Sequence, residues 1–339
     1  MGPKLFLTGG TGYIGGSVLH TIVTSHPEYD VTVLLRNVPT SFSDRYPNVK
    51  IVRGDFDSFD TLAQAASEAD VVVRCGSSNH EASLDALIAG LLRRSTPGFL
   101  IHLSGTGIVS DYYVEDQLGR LNPKVWSDLH DVDTISSLPD YALHRNTEKI
   151  LFDAIAEHGD KVNIAIMCPP GIYGKGLGPG KTKSAFVPCL VNEAKKYGRV
   201  FYYNEGANTS SWVHIQDLMQ VYLRVIEAAA AGGEGATWGK EGYYFTGSQE
   251  VAHIDIVKAA GDILKKHGVI ENPKPIQIDL KTLDGMLPHP RFPYLARYMF
   301  AANSRTRPER AKKLFGYSPS GPGLLESLEE DILVELESS

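Results

Sequence analysis

The chain has 339 residues, 42% of them hydrophobic and 22% charged, with a net charge of -7; that is enough for one full core and a smaller appended lobe. The charge is diffuse and no basic stripe interleaved with aromatics occurs, which excludes a nucleic-acid surface. No apolar run reaches the length of a membrane span, and Met1 to Leu7 lacks a signal-peptide core, so the expectation is a cytoplasmic protein with no membrane partner.

Leu5 to Leu7 reads as a first, buried strand. It runs directly into Thr8-Gly9-Gly10-Thr11-Gly12-Tyr13-Ile14-Gly15-Gly16, and Gly15 to Thr24 then reads as a helix. Glycines at 9, 12 and 15 have the spacing G-x-x-G-x-x-G. One glycine makes the tight turn, one lets backbone amides approach a pyrophosphate, and one lets helix and sheet pack closely. The unpaired N–H groups of the helix then face an anion. Gly9, Thr11, Gly12, Tyr13, Ile14 and Gly15 are therefore the expected phosphate cradle of a dinucleotide.

A second strand, Val31 to Leu35, ends in Arg36-Asn37. Binders of NAD place an acid here, about twenty residues after the glycines, for the ribose hydroxyls. A guanidinium in its place suits the 2′-phosphate of NADP, so the expected cofactor is NADP(H). The third strand, Val49 to Val52, is followed by Asp55 and Phe56, placed to meet an adenine edge and face.

The alternation continues through a helix at Phe59 to Ala66, a strand at Val71 to Val73, a helix at Ala82 to Arg93 and a strand at Phe99 to Leu103. A helix at Tyr141 to Glu157 and a strand at Val162 to Met167 complete it. Strands apolar at consecutive positions are buried on both faces, as in a parallel sheet covered by helices. The fold class is α/β, a doubly wound parallel sheet (Rossmann fold) with a smaller C-terminal substrate-binding lobe.

After this the texture changes. Pro169 to Pro188 is a Gly-, Pro- and Lys-rich loop, too long for a plain connector. Trp212 to Ala231 reads as a capped helix, Tyr243 to Thr246 as another strand, and Leu324 to Leu336 as a final helix after a Pro/Arg/Gly-rich tail. The expected division is a dinucleotide-binding domain over 1–170, a substrate loop region over 171–205, a return to the nucleotide domain over 206–250, and a substrate lobe over 251–339. Cys75, Cys168 and Cys189 lack metal or redox spacing, and the scattered histidines form no ligand cluster, so no metal is expected.

Three further segments carry a family resemblance. They are Ile101-His102-Leu103-Ser104-Gly105-Thr106, Cys168-Pro169-Pro170-Gly171-Ile172-Tyr173-Gly174 and Trp212-Val213-His214-Ile215-Gln216-Asp217-Leu218. With the glycine fingerprint, they resemble the extended short-chain dehydrogenase/reductase superfamily, which includes nucleotide-sugar epimerases, dihydroflavonol-type reductases and NmrA-like proteins. The resemblance implies that Pro169, Gly171 and Ile172 hold the nicotinamide carboxamide. It further implies that Cys75, Gly76 and Ser77 line the ribose and pyrophosphate, and that Ser104 or Thr106 bonds the substrate oxygen. His214 matches a position that steadies structure.

The family's reaction centre is Tyr-x-x-x-Lys on a helix, and here the pattern departs. Aligned on Tyr141, the lysine position holds Arg145; aligned on the glutamate common later in that helix, here Glu148, the pair becomes Asp140 and His144. Arg145 places charge near Tyr141 but cannot relay a proton, whereas His144 titrates near neutral pH. Both registers stay open. The expected activity is an NADP(H)-dependent oxidoreductase acting on a small or medium carbonyl compound, with Tyr173 and Lys175 of the long loop on the substrate. The alternatives are a non-catalytic NADP(H)-binding regulator of the NmrA-like kind, and an epimerase or dehydratase with tightly held cofactor. The expected partners are a small-molecule substrate and, as a homodimer, a second copy of the chain.

Overall fold

Side chains of opposite parity along each strand feed two separate cores in the computed structural model, which describes residues 2–290 and 292–337. Leu5, Leu7, Val33, Val71, Val73 and Ile101 face one layer of helices, and Phe6, Leu34, Val72 and Leu100 face the other. This is why the strands read as continuous apolar runs. The seven strands are β1 (Lys4–Thr8), β2 (Asp30–Leu35), β3 (Lys50–Arg53), β4 (Val71–Arg74), β5 (Gly98–Leu103), β6 (Val162–Cys168) and β7 (Tyr243–Phe245). Their order is β3-β2-β1-β4-β5-β6-β7, every neighbouring pair parallel. The order reverses between β1 and β4, where doubly wound folds open a ligand crevice.

The principal helices are α1 (Tyr13–Ser25), α2 (Phe59–Glu68), α3 (Glu81–Leu92), α4 (Arg145–His158), α5 (Phe186–Tyr197), α6 (Ile215–Ala230), α7 (His253–Lys266) and α8 (Leu324–Leu336). α1 and α6 cover one face of the sheet, and α2, α3 and α4 the other. The lobe has its own core, in which Leu190 of α5, Val257 and Leu264 of α7, and Leu324, Leu328 and Ile332 of α8 surround Phe201 and Phe300. A three-stranded sheet beside it joins Gly171–Tyr173, Thr209–His214 and Gln249–Ala252.

Two expectations need correction. Trp212 to His214 are strand, not helix: they pair with Gly171 to Tyr173, and α6 begins only at Ile215, capped by the His214 imidazole accepting from Gln216 N at 3.3 Å. α4 starts at Arg145 rather than Tyr141, because His144 takes a left-handed backbone (φ 66°) that no helix interior accommodates. The two cores draw on residues far apart in the chain. Tyr112 and Leu118 enter the lobe core, while Ala311 and Tyr317 return to the α1/α6 layer.

One buried carboxyl pins α4 to the sheet. Glu148 accepts from Ser104 Oγ at 2.5 Å and Tyr243 Oη at 3.1 Å, with the Cys168 thiol at 3.8 Å, so residues of β5, β6 and β7 converge on it. Burial raises its pKa from 4.5 to about 7. A raised folded-state value means the folded chain binds more protons. The contribution of this group to stability is full below pH 4.5 and is lost as pH rises through about 7, an amplitude of about 3 kcal/mol. Denaturant unfolding of the wild type and Glu148→Gln at pH 4.5 and pH 8 should show the wild type losing about that much relative to the variant. A difference constant with pH would remove Glu148 as the titrating group.

Candidate active site

The crevice is built by backbone meeting backbone. Gly9 turns the chain at φ 80°, and a Cβ on it would lie 2.5 Å from the Cys75 carbonyl. A Cβ on Gly15 would lie 2.4 Å from the Gly9 carbonyl and 2.9 Å from Cys75 Cβ. A Cβ on Gly12 would meet only the Gly9 carbonyl, at 3.2 Å, so this glycine borders open space. Gly12 is also the N-cap of α1 and offers no side chain to its first-turn amides, which are left for an anion.

A cleft of about 510 Å³ opens here, lined by Gly9, Thr11, Gly12, Arg36, Asp55, Phe56, Cys75 and Gly76, together with Asn37, Asp57 and His80. Arg36 stands exposed at its edge. The Asp55 carboxyl accepts from the Ser58 hydroxyl at 2.8 Å and Asp57 N at 3.1 Å, which holds it below the usual carboxylate range. Phe56 lies so close over Gly76 that a Cβ there would come within 2.2 Å of the ring. Ser77 follows on the exposed rim.

The long loop straps across the outer side of the glycine turn. Tyr13 donates to the Gly174 carbonyl at 2.6 Å, Leu177 N to Ser17 Oγ at 3.0 Å and Lys181 N to the Thr11 carbonyl at 3.0 Å. Arg45 donates to the carbonyls of Leu177 and Gly178, and Gly178 approaches Gly16 so closely that a Cβ on it would lie 2.5 Å from Gly16 Cα.

A second cavity of about 230 Å³ is lined by Tyr13, Ile14, Thr106, Pro170, Gly171, Ile172, Phe186, Ser211, Trp212, Tyr298, Met299 and Ser304, among others. No charged side chain occurs among its described lining residues. The Ser304 hydroxyl is shared between the carbonyl of Thr106 (2.7 Å) and its hydroxyl oxygen (3.0 Å). Pro169, at the end of β6, accepts from Thr106 N at 3.0 Å, which joins the β5 and β6 ends at this wall.

The expected reaction centre is dispersed. Tyr141 is 60% exposed in the turn before α4, and its carbonyl accepts from the Tyr112 phenol at 3.1 Å. Arg145 turns to the Leu138 carbonyl (2.9 Å), not to Tyr141. Ser104 points beneath the sheet to Glu148, so of the pair Ser104/Thr106 only Thr106 borders the cavity. Tyr173 is buried with its phenol donating to the Pro322 carbonyl at 2.8 Å, and Lys175 is exposed on the strap; neither lines the cavity.

Glu148, the anchor of the other register, is buried. In that register Asp140 is exposed and paired with Lys149 at 2.9 Å, and His144 takes the lysine position. His144 Nδ1 lies 2.8 Å from Asn79 Oδ1 and 3.2 Å from Ser78 Oγ, and a Cβ on Gly105 would lie 3.0 Å from its Nε2. Burial depresses its pKa to about 4, so it is neutral at pH 7.

Sequence reasoning missed Tyr298, Ser304, Trp212 and Phe186. They arrive from the lobe and tail by long-range packing, and only the Pro/Arg/Gly-rich texture of the tail hinted at a covering role. The thiols of Cys75 and Cys168 are buried and pushed up, that of Cys75 to about 12. The described residues hold no group of side chains placed to bind a metal, and no helix among them is long and apolar enough to cross a membrane.

Residues 9–127 match the family model for NAD(P)H-binding, and residues 126–238 that of the NAD dependent epimerase/dehydratase family. The chain is 30% identical over 351 residues to oxidase ucsJ of Acremonium sp, with 99% of each chain covered. The chain belongs to the extended short-chain dehydrogenase/reductase superfamily. Solved structures share the fold of this extended reductase type. The dTDP-glucose 4,6-dehydratase of Bacillus anthracis, in complex with NAD, is 16% identical with TM-score 0.65 over 99% of this chain and 97% of its own. The UDP-glucose 4-epimerase of Thermotoga maritima, with UDP-glucose, is 14% identical with TM-score 0.63 over 99% of both.

The glycines should separate by substitution. Gly15→Val drives a side chain into the Gly9 and Cys75 backbone and should cost at least about 1–3 kcal/mol of stability. Gly12→Val should leave a folded chain of near wild-type melting temperature that no longer quenches or enhances NADPH fluorescence. Retained nucleotide binding by folded Gly12→Val would show that the phosphate lies elsewhere.

Proposed function

We propose that this protein is an NADP(H)-dependent oxidoreductase acting on a neutral, small or medium carbonyl or hydroxy compound. The observation that carries this reading is the uncharged second cavity, with the Thr106 hydroxyl in its wall and Gly171 and Ile172 at its border. A nucleotide-sugar substrate would bring two phosphates, which call for cations that the described lining residues do not include.

The residues present suit a dinucleotide. Gly9 and Gly15 let the turn, the helix and β4 close together, and Gly12 leaves room for a pyrophosphate at the uncapped end of α1. Arg36 would meet the 2′-phosphate, Asp55 and Phe56 the adenine, Cys75 to Ser77 the adjoining ribose and pyrophosphate, and Pro169, Gly171 and Ile172 the carboxamide. When bound, the nicotinamide supplies or accepts hydride. Thr106 would orient the substrate oxygen, and Trp212 and Phe186, packed edge to face with centroids 4.9 Å apart, would exclude water from it. A non-catalytic nucleotide-binding role is the second reading, favoured by the exposure of Asp140 where the family carries its tyrosine.

Two measurements test the proposal. NADPH should bind more tightly than NADH, and Arg36→Ala should erase a preference of roughly ten- to a hundredfold, the worth of a charge-assisted contact. Equal affinities in the wild type would sink the cofactor assignment. NADPH consumption against a panel of neutral aromatic ketones and quinones tests the activity, and its absence throughout would leave the nucleotide-binding role as the better account.

A further inference from the structure

Carbonyl reduction needs a proton donor at the substrate oxygen, and α4 provides none: Tyr141 lies outside and Asp140 is paired at the surface. Two phenols border the cavity. Tyr13 is committed to the strap, where it donates to the Gly174 carbonyl at 2.6 Å. Tyr298, on the short helix Leu295–Phe300 of the lobe, differs. Its ring meets Tyr112 edge to face at 6.2 Å and Phe292 at a tilt at 5.9 Å, while its hydroxyl has no hydrogen-bond partner among the described residues.

Tyr298 is only partly buried, and its ring borders the cavity instead of being sealed in the core. A Cβ on Gly107 would lie 3.3 Å from the Tyr298 hydroxyl, which places the phenol one residue along from Thr106. Thr106, held by Ser304, and Tyr298 thus face the same small, uncharged cavity from two different lobes.

We infer that Tyr298 is the catalytic acid–base residue of this site, supplied by the lobe in place of the tyrosine the helix has lost. The inference rests on the oxidoreductase reading above. In reduction the carbonyl carbon would gain the hydride that a bound reduced nicotinamide supplies, its π pair would move to oxygen, and Tyr298 would give that oxygen its proton. Solvent then reprotonates the phenolate, and oxidation of an alcohol reverses each transfer. Burial pushes the phenol up to about 12, which keeps it protonated and ready to donate. An oxidised, cationic nicotinamide alongside would draw that value down.

The test uses the full chain as wild type, Tyr298→Phe and Tyr141→Phe. Because the lost hydroxyl has no partner among the described residues, Tyr298→Phe should melt no lower than wild type. Saturation with NADP+ between about pH 8 and 10 should raise phenolate absorbance in the wild type and Tyr141→Phe but not in Tyr298→Phe. With any panel substrate that the wild type reduces, Tyr298→Phe should lose roughly a hundredfold to ten-thousandfold in kcat at unchanged NADPH affinity. Tyr141→Phe should stay within about twofold, as expected of a surface change. A phenolate signal missing from the wild type or persisting in Tyr298→Phe overturns the assignment, as does undiminished turnover. If the wild type reduces nothing in the panel, the oxidoreductase reading fails by itself, and the phenolate signal still decides whether Tyr298 stands beside the nicotinamide.

Discussion

The contact among Gly9, Gly15 and the carbonyl of Cys75 is the constraint on which the site depends. It brings the first helix against the ends of β1 and β4 at the point where strand order reverses, with distances that no Cβ could share. The crevice, the exposed amides of α1 and the route of the strap all follow from that approach. Gly16 then repeats the device outward, since its contact with Gly178 lets the strap lie flat on the helix. One glycine-rich segment thereby organises both the inner wall that faces a nucleotide and the outer wall that faces the lobe.

Glu148 plays the corresponding part on the opposite face. With Ser104, Tyr243 and Cys168 gathered on one carboxyl, α4 can neither rotate nor slide without leaving a buried acid unpaired, which is among the costlier defects a core can carry. That anchor decides which residues of the preceding turn meet the site. His144 is brought in by its left-handed backbone, while Asp140 and Tyr141 are left in solvent. Neither Tyr141 with Arg145 nor Asp140 with His144 makes a Tyr-x-x-x-Lys pair, so the residues themselves, and not the placement of the helix, account for the missing dyad.

Much of this was legible in the sequence. The six strands of the first half, the glycine turn and the final helix appear where apolar periodicity and glycine spacing place them, because each is dictated by neighbours along the chain. Trp212 to His214 misled for a local reason: a strand leading straight into a helix has no break in hydrophobicity, and only pairing with Gly171 to Tyr173 defines its end. The register of α4 was open for a different reason. The sequence offered Tyr141 and Glu148 as rival anchors, and burial, which separates them, depends on Ser104, Cys168 and Tyr243 arriving from three strands. Tyr298 and Ser304 were invisible, since they reach Thr106 across nearly two hundred positions of sequence.

Two histidines near the site are held uncharged, with opposite tautomers. Arg74 is buried, with its guanidinium 3.1 Å from His102 Nδ1. Arginine can only donate, so His102 accepts at Nδ1 and carries its proton on Nε2. Burial and then the Arg74 charge hold that ring neutral, with its pKa well below 6.5. His144 has the opposite tautomer: Nδ1–H donates to Asn79 Oδ1, which leaves the lone pair of Nε2 directed toward Gly105. Where the family's lysine would present an ammonium donor, this chain presents an uncharged acceptor. A group bonded there must donate, as a ribose hydroxyl can, and the His144 ring offers it no positive charge. The described residues that line the cavity add no charge of their own, so a cationic cofactor would be the charge nearest to a phenol there, and an acid on the lobe side of the substrate would meet it without help from the helix.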